Sequence, residues 1–97
     1  MPKYLVSFRI QDDARYQQRY QQLHDVMNEL GTGFWSADTS FIAMECPQSI
    51  DELGEELKAC LHQSDHLFIK QIGVNASRYI NDPGDGFLYF FPEAKKL

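Results

Sequence analysis

Two helical segments, each apolar along one side only, are the strongest constraint in this sequence. Residues 14–30 and residues 50–61 repeat apolar side chains mainly at steps of three and four, the spacing of a single helical stripe. A helix of this kind buries one side and leaves the other in water, so it can cover only one neighbouring layer. The stripes consist of Tyr16, Tyr20, Leu23, Met27 and Leu30 in the first segment and Ile50, Leu53, Leu57, Cys60 and Leu61 in the second.

Four β-prone runs surround these helices, at residues 4–10, 33–37, 41–45 and 66–72. Successive side chains of a strand point to opposite faces of its sheet, and the first run alternates accordingly. Its apolar side carries Tyr4, Val6, Phe8 and Ile10, and its other side carries Leu5, Ser7 and Arg9.

The resulting order is strand, helix, strand, strand, helix, strand, which predicts an α+β protein with a ferredoxin-like βαββαβ fold. Its sheet should be antiparallel, with both helices on one face. We expect one domain over residues 1–97, with a core at about residues 4–72. The opposite face of the sheet would then be bare and would have to meet water or another surface.

Side chains that can bind free backbone groups indicate where the helices begin and end. Asp13 is the expected N-cap of the first helix, and Gly31 is the expected residue for ending it in a left-handed conformation. Ser49 and Glu52 have the spacing of a capping box, which starts the second helix. Residues 38–40 are expected to form the tight turn of a hairpin between the second and third strands.

The C-terminal residues predict a further element. Residues 81–86 have the composition of a turn, and residues 87–91 are five consecutive bulky apolar residues. Because such a run is unfavourable in water, we expect residues 87–91 to form an extra C-terminal strand. Two positions for this strand stay open: its own sheet, or the edge of a second copy of the chain.

The small size of the chain favours association. A domain of 97 residues hides only roughly 60–70% of the surface of its unfolded chain, so it gains from a partner, and we expect a homodimer. The sequence has no run of about 18 apolar residues and no secretion leader, which predicts no membrane contact and a cytoplasmic location. Two cysteines are too few for a disulfide framework.

The charge balance bears on the choice of ligand. Nine basic residues stand against fourteen acidic ones, which gives a net charge of −5. A negative protein repels nucleic acid at long range, although a local basic patch can overcome that repulsion. The composition therefore disfavours a nucleic-acid partner without excluding it.

Short motifs within residues 4–72 resemble a known family. They are residues 4–10 (YLVSFRI), 33–35 (GFW), 38–42 (DTSFI) and 64–69 (SDHLFI). Together they resemble the SinR-like small bacterial proteins, which are similar in turn to the CRISPR-associated ferredoxin-like endonucleases and to the VapD toxins. The resemblance implies a ferredoxin-like fold and a homodimer, often with the C-terminal segment completing the sheet of the partner.

The same resemblance places an unusual residue at the end of the first strand. In the nuclease branch an aspartate at this position helps to hold a divalent metal in the dimer cleft, and Arg9 stands there in this sequence. Arg9 could bind a phosphate or a carboxylate across a dimer, or it could pair with Asp12 or Asp38. The departure weakens the expectation of metal-dependent catalysis.

Two further positions have competing interpretations. Asp12 and Asp13 could supply oxygen ligands to Mg²⁺ for phosphodiester hydrolysis, or they could stabilise the positive end of the helix that follows them. Trp35, beside Phe34, could stack on bases, or it could pack in the core or in a dimer interface.

These observations predict a homodimeric binding or regulatory module with no catalysis and no cofactor of its own, with nucleic acid among the candidate ligands. Arg9, Trp35 and Arg78 are the candidates for its contact surface. The alternative is a Mg²⁺-dependent endonuclease with Asp12 and Asp13 as catalytic and metal-binding residues. A further alternative is an antitoxin-like module that pairs with a basic protein.

Overall fold

The computed structural model describes residues 1–38, 41–73, 78–79 and 84–97. Within them the elements follow the predicted βαββαβ order and continue into a C-terminal extension. The elements are β1 (Lys3–Arg9), α1 (Tyr16–Leu30), β2 (Gly33–Asp38), β3 (Phe41–Glu45), α2 (Ile50–Lys58), β4 (His66–Gln71), β5 (Arg78–Tyr79), α3 (Phe87–Phe90) and β6 (Lys95–Lys96).

The main sheet has four strands in the order β2-β3-β1-β4, and every neighbouring pair is antiparallel. A second, small sheet pairs β5 with β6 in parallel. The order of the main sheet and the placement of α1 and α2 against it confirm the α+β, ferredoxin-like prediction.

The core lies between the main sheet and the two long helices. The predicted apolar side of β1 is buried there, from Tyr4 to Ile10, against the apolar stripes of α1 and α2. Because the Tyr4 hydroxyl donates a 2.6 Å hydrogen bond to the carbonyl of Gln48, this buried phenol keeps a polar partner. The buried helical residues in this core are Leu23, Met27, Leu53 and Leu57.

The ends of the helices confirm one capping prediction and correct two. Ser49 and Glu52 form the predicted capping box at the start of α2. Asp13 is not the N-cap of α1, since that position is Arg15; Asp13 instead accepts the Arg15 N–H in the turn before the helix. Gly31 is extended (φ −86°, ψ 153°) rather than left-handed, and a Cβ there would require the Phe34 ring to shift.

Some predicted turn residues lie outside the described residues. These are Thr39 and Ser40 of the hairpin, and residues 81–83 of the C-terminal turn cluster. The strands β2 and β3 on either side of the hairpin pair as expected, with a register shift between Trp35 and Asp38.

The C-terminal segment departs from the prediction. Residues 87–91 do not form the extra strand, since Phe87–Phe90 is the short helix α3, and the extra strand is β6 at Lys95–Lys96. A run of apolar residues without alternation does not separate strand from helix. Here Gly86, in a left-handed conformation (φ 87°), starts a helical turn that buries Phe87 and Phe90 and exposes the residues between them.

This segment packs on its own sheet, on the face opposite α1 and α2. The Phe87 ring lies 5.0 Å from the Trp35 ring, centroid to centroid, and the hydroxyl of Tyr89 donates a 2.8 Å hydrogen bond to the Glu45 carboxylate. The Lys3 ammonium donates a 2.8 Å bond to the carbonyl of Tyr89. The expectation of a wholly bare face is therefore wrong, because the chain covers the β2–β3 half by itself.

We predict that this covering segment contributes strongly to stability. Phe90 is 2% exposed, so Phe90→Ala should lower the free energy of unfolding by about 3–5 kcal/mol. Leu88 is 55% exposed, and Leu88→Ala should change the free energy of unfolding by less than about 0.5 kcal/mol. Urea denaturation of both variants measures the difference, and equal effects would show that the segment is not seated on the sheet.

Candidate binding surface on the uncovered half of the sheet

The half of the sheet that α3 leaves uncovered belongs to β1 and β4. The strand register places three cross-strand pairs on this face, and we call their six residues the β1–β4 patch. At its middle the Phe68 ring is 58% exposed. The pairs are Leu5 with Lys70, Ser7 with Phe68, and Arg9 with His66.

Charge is distributed unevenly between the patch and the helices. The patch has two cationic side chains, Arg9 and Lys70, together with His66, and none of its six residues is acidic. The two long helices on the other face carry six carboxylates and two cationic side chains. The net negative charge of the chain is therefore concentrated away from the patch, which offers a local attraction for anions.

The structure separates the three predicted contact residues. Arg9 lies in the patch and is exposed. Trp35 is half-buried under the C-terminal segment, where its ring packs against those of Phe87, Phe91 and Phe41. Arg78 is in β5, opposite Lys95 in the small sheet, and is not one of the six patch residues.

The sequence analysis missed the three β4 residues of the patch, which are His66, Phe68 and Lys70. Phe68 and Lys70 alternate with Leu67 and Ile69 along β4, and this alternation was a usable signal. It shows which residues share a face, but not which of the two sides meets the helices. The pairing of β4 with β1 resolves that ambiguity, because Ser7 lies directly opposite Phe68.

Arg19 and two carboxylates join the start of α1 to the start of β4. The Nε of Arg19 is 2.9 Å from Oδ2 of Asp65, whose side chain is fully buried, and its Nη2 is 3.0 Å from Oδ2 of Asp13. Asp65 also accepts the backbone N–H groups of His62 at 2.8 Å and Gln11 at 2.9 Å. This cluster fixes the loops that enter α1 and β4, and with them the end of the patch that carries Arg9.

Both carboxylates have lowered pKa values. The Arg19 hydrogen bond, together with the Arg15 N–H, lowers the pKa of Asp13. For Asp65, burial acts to raise the pKa, but the bonds from His62, Gln11 and Arg19 outweigh it, and the net shift is downward. Each group is therefore stabilised as an anion in the folded chain.

Asp13, one of the two residues predicted to hold Mg²⁺, is engaged by other groups of this chain. One oxygen of Asp13 accepts the Arg15 N–H and the other faces the Arg19 guanidinium, which would repel a cation. Asp12 is exposed on the neighbouring loop. Across the described part of the chain, no group of three or more His, Cys, Asp or Glu side chains converges as a metal site would require.

We predict that Asp65→Asn destabilises the protein in a pH-dependent way. The lowered pKa of Asp65 means that its contribution is present above the unfolded value of about 3.9 and is lost as the pH falls through the folded value. The variant should melt several degrees below the wild type at pH 7, and this difference should shrink as the pH is lowered below about 3.9. The control Asp12→Asn should change neither the melting temperature nor its dependence on pH. A difference in melting temperature between Asp65→Asn and the wild type that stays constant with pH would contradict this account.

Comparison with known proteins supports the fold, through a similar crystal structure, and identifies no protein family for this chain. No protein-family model matches the sequence, and no curated protein has a significantly similar sequence. The structure is similar to the crystal structure of Streptococcus pyogenes Cas2 at pH 6.5, with a TM-score of 0.54 and 15% sequence identity, over 75% of this chain and 88% of that one. At this identity the likeness shows a shared fold.

The fold thus places this chain in the class of ferredoxin-like α+β proteins. Cas2, the similar structure described above, is a CRISPR-associated member of that class. The resemblance to SinR-like proteins and to VapD toxins stays a prediction. In the described residues, no helix is both long enough and apolar enough to cross a bilayer.

Proposed function

We propose that this protein is a homodimeric binding module without catalysis of its own, and that it takes its ligand on the β1–β4 patch. The supporting observation is the exposed Phe68 ring, set among cationic side chains on a hydrogen-bonded sheet. A large exposed apolar group on a rigid surface is typical of an interaction site. β1 is paired on both sides, with β3 and with β4, so this surface is preorganised.

The absence of catalysis is supported by the way the acidic residues are used. Arg19 and the Arg15 N–H lower the pKa of Asp13, and the N–H groups of His62 and Gln11 together with Arg19 lower the pKa of Asp65, so structural contacts account for both shifts. The end of β1, where the resemblance to nucleases implies a metal-binding aspartate, carries Arg9 instead. A cationic side chain at this position suits the binding of an anion rather than of a metal ion.

The dimer is proposed to form through the outer edge of β4. The Ile72 N–H donates to the Lys3 carbonyl at 2.8 Å, and the alternation of an antiparallel ladder then turns the N–H groups of Leu67, Ile69 and Gln71 away from β1. Among the strands that the structure describes, β4 is at the end of the main sheet, and an edge strand with outward N–H groups is a template for another strand. Pairing of two β4 edges would join the sheets and bring the two patches side by side.

We predict a mass of about 23 kDa by light scattering, twice the 11.3 kDa of one chain. Gln71→Pro removes an outward N–H while leaving the bonds to β1, so it should shift the population towards monomer. Gln71→Ala, which keeps the N–H, is the matched control and should stay dimeric. A wild-type monomer, or an unchanged dimer in Gln71→Pro, would contradict the proposed edge.

A second candidate function is a Mg²⁺-dependent endonuclease that uses Asp12 and Asp13. The likeness to the fold of Cas2, together with the resemblance to CRISPR-associated ferredoxin-like endonucleases, favours it. The Arg19 contact to Asp13 speaks against it.

A cleavage screen separates the two functions. Single- and double-stranded RNA and DNA are incubated with the protein in Mg²⁺, in Mn²⁺ and in EDTA. We expect the same background with and without metal, because the Asp13 carboxylate is already occupied. Metal-dependent cleavage that disappears in Asp12→Asn would establish the nuclease instead.

A further inference from the structure

The β1–β4 patch combines two kinds of contact in a small area. Phe68 lies two residues from His66 and two from Lys70 on the same face of β4, a spacing of roughly 7 Å along the strand. Across the sheet it faces Ser7, and Arg9 is the next residue of β1 on that face. A flat aromatic surface is thus bordered by cationic groups on both sides.

From this arrangement the geometry points to single-stranded nucleic acid as the ligand of the patch. One base stacks on the Phe68 ring, and Arg9 and Lys70 contact the phosphates on either side. This assignment rests on the proposed function and names the ligand of the same site. Base stacking needs an accessible aromatic face, which the 58% exposed Phe68 ring provides. Phosphate binding needs cations, and Arg9 and Lys70 provide them in a patch whose six residues include no carboxylate.

A duplex is a poorer fit to this surface. Its bases are already stacked on each other, so the Phe68 ring could not reach a base face, and only the two cations would be used. A second copy laid face to face is also disfavoured, because a two-fold axis through the patch would bring the cationic groups of both chains together. Dimerisation through the β4 edge leaves the ring accessible.

The strength of binding should be modest and only weakly dependent on salt. With two phosphate contacts per chain, the logarithm of the affinity should fall with the logarithm of the salt concentration at a slope of about −1.4. The acidic helices lie on the opposite face of the sheet, which limits their repulsion of a strand bound at the patch.

The test is fluorescence anisotropy of labelled oligouridine and oligothymidine of twelve nucleotides, and of a duplex of equal length, at low salt. Phe68→Ala should weaken single-strand binding at least about 5-fold, and Phe68→Tyr, which keeps the ring, should bind like the wild type. Arg9→Gln and Lys70→Gln should each weaken binding and flatten the salt dependence. Leu88→Ala is the matched control, since it removes a comparably exposed apolar side chain (55%) outside the patch.

Each other outcome is informative. Equal affinity for the duplex, or no loss in Phe68→Ala, would overturn the stacking assignment. Binding of polyglutamate that depends on Arg9 and Lys70 but not on Phe68 would indicate an acidic protein partner and would overturn it as well. An intact dimer that binds neither oligonucleotide would rule out this ligand, but not the proposal of a homodimeric binding module. A monomer that cleaves nucleic acid would instead rule out the proposed function.

Discussion

The architecture depends on one constraint, which is that the sheet has more surface to bury than the two long helices can cover. A four-stranded sheet has two faces, and two helices with one apolar stripe each can cover only the first. The C-terminal segment supplies aromatic cover for the second face, mainly over the β2–β3 half, where Ala43 is 0% exposed, with one contact to Lys3 at the start of β1. In the β1–β4 half the Phe68 ring is 58% exposed, and the candidate site lies there.

The polar cluster of Arg19, Asp13 and Asp65 connects this architecture to the site. It lies where α1 and β4 begin, and through the Gln11 N–H it also holds the loop that follows β1. Arg9 and His66 are the cross-strand pair at that end of the patch. Asp13, one of the two residues interpreted in the sequence as possible metal ligands, thus acts in the structure with Asp65 as a support for a cationic, aromatic surface.

The sequence was sufficient where local periodicity and local hydrogen bonding decide the structure. The four strands, both long helices and the capping box at Ser49 and Glu52 follow from such patterns, and so does the βαββαβ order. The helix at Phe87–Phe90 did not follow, because a continuous apolar run has no period and its conformation depends on contacts with Trp35, distant in the chain.

The candidate site was only partly visible in the sequence for the same reason. Arg9 was identified from the alternation of β1. The exposure of Phe68 on the candidate site depends on strand pairing and on which half of the face α3 covers. Trp35 was interpreted from the sequence as a possible stacking residue, and in the structure its ring contacts the C-terminal rings of Phe87 and Phe91, which are distant in the chain. The position of Asp13 in the sequence is typical of a helix cap or of a metal ligand. Its ion pair with Arg19 is formed in the folded structure, and the sequence pattern does not indicate it.

The half-covered sheet face can be measured directly by nuclear magnetic resonance with a soluble paramagnetic agent, which broadens signals of accessible groups. The account predicts strong broadening for the Phe68 ring, at 58% exposure, and almost none for the Ala43 methyl group, at 0%, although both lie on the same face. Equal broadening of the two would show that the C-terminal segment does not cover the sheet. Protection of Phe68 in the free protein would show that the patch is already occupied by a second copy.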